Sequence, residues 1–91
     1  MDNVYSRLAL NLIGQCEIGN VDCVVLVKDQ RERAKLVDTI AYFQKPMKFE
    51  AFARAGVVTI FGVKINIVVT KNNKDINKMK FGNVRVYNLE T

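Results

Sequence analysis

Six cationic side chains, Lys64, Lys71, Lys74, Lys78, Lys80 and Arg85, follow one another in the second half of the chain, with Tyr87 just beyond them. Contacts to phosphate need little more than lysine and arginine on one side, helped by backbone or aromatic groups that set position. This stretch therefore has the makings of a surface for nucleic acid or another acidic partner, with Tyr87 as a ring on which a base could stack. Arg33 and Arg54 are two further anion-binding candidates. Arg33 interrupts the apolar arc of an expected helix close to the end of an expected strand, where α/β proteins place ligands. Arg54 precedes Ala55-Gly56, and a glycine lets a ligand approach the backbone closely. Each candidate has a plainer reading. Lysines in loops and on strand edges keep proteins soluble and unaggregated, and Arg33 can lie over the core with its guanidinium in water or paired to Asp29 or Asp22.

Catalytic chemistry has less to work with. The chain contains no histidine, which removes the commonest general base at neutral pH and the triads that depend on it. Asp22, Asp29, Glu32, Asp38 and Glu50 stand mostly where caps or ion pairs account for them, Asp29 as a helix cap. A metal-dependent nuclease would need clustered carboxylates beside a lysine, and Asp22 with Glu50 and Lys48 is the one set that neighbouring strands could assemble. Cys16 and Cys23 are too few for a disulfide framework and, without histidine, fit no zinc pattern; a reducing compartment suits them. Gly14 and Gly19 lack the trailing Lys-Ser or Lys-Thr of a phosphate loop and precede a strand rather than follow one. No enzyme activity, metal or cofactor is expected.

At 91 residues the chain is one domain, 1–91, with an apolar fraction of 49% that suits a folded core. The net charge of +5 is unevenly spread: residues 1–44 hold five basic and six acidic side chains, and residues 45–91 hold nine and three. No apolar run approaches the roughly 20 residues of a membrane helix. With Asp2 where a secretory leader would be basic, the expectation is a cytoplasmic protein with no membrane partner.

The elements that must position these residues follow from periodicity. Val4, Leu8 and Leu12 mark a helix over residues 2–13, capped by Asp2 or Asn3 and ended by Gly14. Cys23-Val24-Val25-Leu26-Val27 is apolar at every position and reads as a strand covered on both faces. A second helix begins near Asp29, buries Leu36, Val37 and Ile40, and stops by Lys45 because Pro46 follows. Met47 to Phe52 alternates as a short strand parallel to the first. Phe61-Gly62 joins two more strands in a hairpin, with Val63, Ile65, Ile67 and Val69 on one face and Lys64, Asn66, Val68 and Thr70 on the other. Residues 83–89 alternate as a last strand at or near an edge.

The expected fold is α/β, with α+β as the alternative: a small domain of two or three layers in α-β-α-β-β-β order, a parallel β-α-β unit followed by an antiparallel hairpin and a C-terminal edge strand. The expected function is a small non-enzymatic binding protein that contacts nucleic acid or another acidic partner through a basic C-terminal surface. The competing reading is a regulatory or inhibitory protein-interaction module, in the style of phage and mobile-element accessory proteins, presenting an edge strand or the Tyr42 face of its second helix. A degenerate nucleotide-binding domain ranks third, on fold analogy alone. Edge strands and a half-apolar helix would also permit a homodimer.

Overall fold

Strand β1, Cys23–Val27, buries all five of its side chains, as the unbroken apolar run requires. In the computed structural model, which describes residues 3–19, 21–70 and 84–89, β1 lies inside a five-stranded sheet ordered β2-β3-β4-β1-β5. The other strands are β2, Ala51–Arg54; β3, Val57–Ile60; β4, Val63–Val69; and β5, Arg85–Asn88. β1 pairs in parallel with β4 on one side and β5 on the other, while β2, β3 and β4 form an antiparallel meander. This is a mixed α/β sheet, with β5 at the edge where the sequence places its last strand.

Two helices cover one face. Helix α1, Val4–Glu17, and helix α2, Gln30–Met47, pack on each other and on Cys23, Val25, Val27, Val58, Ile60, Val63, Ile65 and Ile67 through Leu12, Ile13, Leu36 and Ile40. The period-2 alternation of β4 is realised: Val63, Ile65 and Ile67 face the helices and are buried, whereas Lys64 and Asn66 are exposed on the other face. Among the described residues the helices and the sheet thus form two layers. Val24 and Leu26 belong to the face opposite α1 and α2, and both are buried there as well.

Several boundaries differ from those the sequence suggests. Gly14 does not end α1; the helix runs on to Glu17, because Cys16 continues the buried stripe of Leu12 and Ile13, and Gly19 takes the left-handed turn at φ 73°. Asn3 is the cap, its Oδ1 accepting the Ser6 N–H at 2.8 Å. Pro46 lies inside α2, which ends one residue later at a left-handed Lys48. So near the C-terminus proline removes a single bond, the one to the Tyr42 carbonyl, on an exposed turn. The extra turn delays β2 from residue 47 to Ala51 and sends Phe49 into the core. β2 does run in the direction of β1 but at the far edge, two strands removed, and the parallel neighbour of β1 is β4.

At the other end of α2, Asp29 Oδ1 accepts the Glu32 N–H at 2.9 Å and Glu32 Oε1 accepts the Lys28 N–H at 2.8 Å. This reciprocal arrangement is a close relative of the capping box. Asp29→Ala should cost about 1 kcal/mol and lower the thermal midpoint by roughly 4–8 °C. Calorimetry showing an unchanged midpoint would contradict the cap.

Candidate anion-binding groove

The first turns of α2 and the β2–β3 turn enclose a groove of about 340 Å³ lined by Gln30, Arg33, Asp38, Arg54 and Gly56. Both halves have local causes. On α2, Gln30, Arg33, Ala34, Val37 and Asp38 recur at three- and four-residue spacing and so share one side of the helix. On the sheet, a two-residue turn with both φ angles positive, Ala55 at 53° and Gly56 at 82°, reverses the chain between β2 and β3. That is the turn whose twist matches a β-hairpin. The Gly56 carbonyl accepts the Ile67 N–H at 2.8 Å and ties the turn to β4.

Arg33 is half-buried in this groove. Its Nη1 lies 3.2 Å from where a side-chain carbon on Gly56 would sit, so the guanidinium rests directly against the glycine. Neither carboxylate suggested as its partner takes that role. Asp29 holds the Glu32 amide and Asp22 Oδ1 accepts the Lys64 N–H at 3.1 Å. Among the described residues the Arg33 guanidinium has no hydrogen bond or ion pair. Arg54, exposed at the end of β2, also borders the groove, but its cross-strand row with Val57 and Asn66 lies on the face of the sheet opposite α2, so the two arginines flagged in the sequence do not converge. Arg33 and the carboxylate of Asp38 are the charged side chains that α2 brings to the groove.

Gly56→Ala tests this geometry. The substitution forces alanine to a positive φ and its Cβ onto the arginine tip, so stability should fall by about 1 kcal/mol and Arg33 should be displaced. A denaturant midpoint equal to that of the wild type would show that the turn is not held as described.

The other cationic candidates divide between the two faces. The cross-strand rows Phe52-Thr59-Lys64 and Arg54-Val57-Asn66 lie on the face opposite α1 and α2, so Lys64 and Arg54 share that side, and no carboxylate occurs at the strand positions of either row. Arg85 is exposed but aligned with Cys23, on the helix side. Tyr87, aligned with Val25, packs against the core from that same side. Its hydroxyl is buried and makes no well-formed hydrogen bond among the described residues, although the Arg85 side chain lies near enough to favour the phenolate. Desolvation and the nearby thiols push the phenol above its ordinary pKa, and the Arg85 charge only partly offsets them. Tyr87 and Lys64 therefore do not form one platform. Lys71, Lys74, Lys78 and Lys80 lie outside the described residues.

Other chemistries meet geometric obstacles. Asp22 and Glu50 precede β1 and β2, which β4 and β3 separate; three strand spacings place them on the order of 14 Å apart, too far to share a metal ion. Among the described residues no group of three or more His, Cys, Asp or Glu could hold a metal. A nucleotide phosphate would need the first amides of α2, but Asp29 already occupies the Glu32 N–H. No helix among the described residues is long and apolar enough to cross a membrane. The sequence did not single out Gln30, Asp38 or the exposed rings of Phe52 and Phe61; the 30-33-34-37-38 spacing was the available signal for the first two. Comparison with protein-family models, curated proteins and solved structures found no match.

Proposed function

We propose that this protein binds nucleic acid without transforming it, holding the phosphate backbone with Arg33, Arg54 and Lys64 and with the lysines at 71, 74, 78 and 80. The observation that carries the reading is the half-buried Arg33 guanidinium set against Gly56, with no ion pair to it among the described residues. A guanidinium removed partly from water and left without a carboxylate gains most from an anion that supplies the missing acceptors. Phosphate suits it because the planar fork accepts two oxygens at once. Lys64 and Arg54 extend the positive field across the face opposite α1 and α2, and the charge excess of the second half makes it long enough for a polyanion.

Fluorescence anisotropy with a labelled oligonucleotide tests the proposal. Affinity should lie in the range of about 10⁻⁴ to 10⁻⁶ M at physiological salt and fall steeply as salt rises. Arg33→Gln and Arg54→Gln should each weaken binding and reduce the slope of log K against log salt by about one. Binding that ignores salt, or that survives both substitutions together with Gln at residues 71, 74, 78 and 80, refutes the reading. A protein-interaction module has one specific observation in its favour, the exposure of Tyr42 on the outer side of α2, at 73%. A pull-down separates the two: retention of one protein after nuclease treatment favours the module, and loss of the co-purifying material favours nucleic acid.

A further inference from the structure

Strand β2 forms one edge of the sheet, and its sequence is complementary to itself. Backbone phasing decides which residues can reach outward. The two-residue turn at Ala55-Gly56 makes Arg54 with Val57, and hence Phe52 with Thr59, the pairs that exchange N–H···O bonds. Ala51 and Ala53 consequently aim their N–H and C=O groups away from β3. The Ala51 N–H shows that direction, since it donates to Gln44 Oε1 of α2 at 2.9 Å. The side chains along this edge read Glu50, Phe52 and Arg54 on the face opposite α1 and α2, with the two small alanines on the helix side. Phe52 is 66% exposed, and among the described residues neither Glu50 nor Arg54 has an ion pair in its own protomer.

We infer that β2 pairs antiparallel with β2 of a second copy of this chain, with Phe52 at the two-fold axis, to make a continuous ten-stranded sheet. In this register Ala51 of one copy faces Ala53 of the other, so the outward backbone groups meet in hydrogen-bonded pairs. Phe52 meets its own mate at a non-hydrogen-bonded position, where side chains come closest. Glu50 faces Arg54 of the second copy, and symmetry repeats that ion pair on the other side of the axis. Slipping two residues in one direction sets Phe52 against Glu50 and Lys48 against Arg54. Slipping in the other sets Phe52 against Arg54 and removes both ion pairs. One register therefore satisfies the backbone, the aromatic ring and the charges together, a coincidence that an edge protected for solubility would avoid. Gln44 acts as a guard on this edge, since Ala51 must release it before pairing completely. The four-residue strand makes a small contact, so the dimer is weak and depends on concentration. This inference does not rest on nucleic-acid binding.

Sedimentation velocity of the full chain without nucleic acid, over a micromolar-to-millimolar dilution series, tests it. The wild type should shift from monomer to dimer as concentration rises. Glu50→Arg and Arg54→Glu place like charges opposite each other and should each weaken association by at least about tenfold, while Glu50→Arg/Arg54→Glu in one chain rebuilds both pairs in reverse and should return to within about threefold of wild type. Gln44→Ala frees the Ala51 donor and should tighten the dimer. Circular dichroism establishes that each variant is folded. A wild type that stays monomeric throughout, or a double variant no better than the singles, overturns the assignment and leaves the edge to a strand of a different protein.

Discussion

Replacing Val25 with aspartate is expected to leave little folded protein. Val25 is fully buried at the middle of β1, between Ile67 of β4 and Tyr87 of β5, and it faces the helices. A domain of 91 residues has about 5–14 kcal/mol of net stability. Losing the valine removes roughly 1.5–3 kcal/mol of burial, and an ionised carboxylate without a partner adds several kcal/mol of desolvation. Together these approach or exceed the whole margin. Val86→Thr supplies the contrast on the edge strand. Val86 is 44% exposed on the other face, and its substitution should stay within about 0.5 kcal/mol. Urea titration of both variants measures the difference, and a cooperatively folded Val25→Asp at wild-type midpoint would remove β1 from the centre of the molecule.

The second large effect concerns the thiols. Burial pushes Cys16 up from 9.0 to about 11, with smaller contributions from Cys23 and Asp22, and burial also raises Cys23. The thiolate is the reactive form. At mildly alkaline pH the native Cys16 thiolate population is therefore about a hundredfold below that of an unfolded chain, and its side chain is sealed from the reagent as well. Alkylation by iodoacetamide should be at least about a hundredfold slower in the native protein than in denaturant, and both cysteines should react together once the fold opens. The same shift sets a pH dependence. Between about pH 9 and pH 11 the native state holds a proton that the unfolded chain has lost, so stability is intact below pH 9 and declines as pH rises through that window. Tyr87, also raised, acts in the same direction at its upper end. Rapid native alkylation, or stability that increases above pH 9, would show that these thiols are not buried as described.

Much of this was legible locally. The five apolar residues of β1 admit one environment, and the structure provides it. The β4 alternation placed Lys64 and Asn66 outward and Val63, Ile65 and Ile67 inward, and Phe61-Gly62 formed the expected turn at φ 52° and 79°. The Asp29 cap followed from residue type and position. Helix ends were harder to place. Gly14 and Pro46 carry strong local preferences, yet packing of Cys16 extended one helix and an exposed terminal turn tolerated the proline in the other. Each local cost is about 1–3 kcal/mol, within reach of what tertiary contacts return.

The sequence by itself determined the helices, the buried strand, the tight turns and the charge asymmetry, because each depends on sterics and hydrogen bonds within a few residues. Only the tertiary structure decided that β4 and not β2 lies beside β1, that Tyr87 turns toward the core while Lys64 faces away, and that Arg33 rests against Gly56 while Arg54 lies on the opposite face of the sheet. Those outcomes depend on which strands pair and in what register, and pairing is chosen by burial summed over the whole sheet. A one-residue slip would send every side chain of a strand to the opposite face, a distinction that no short window of residues contains.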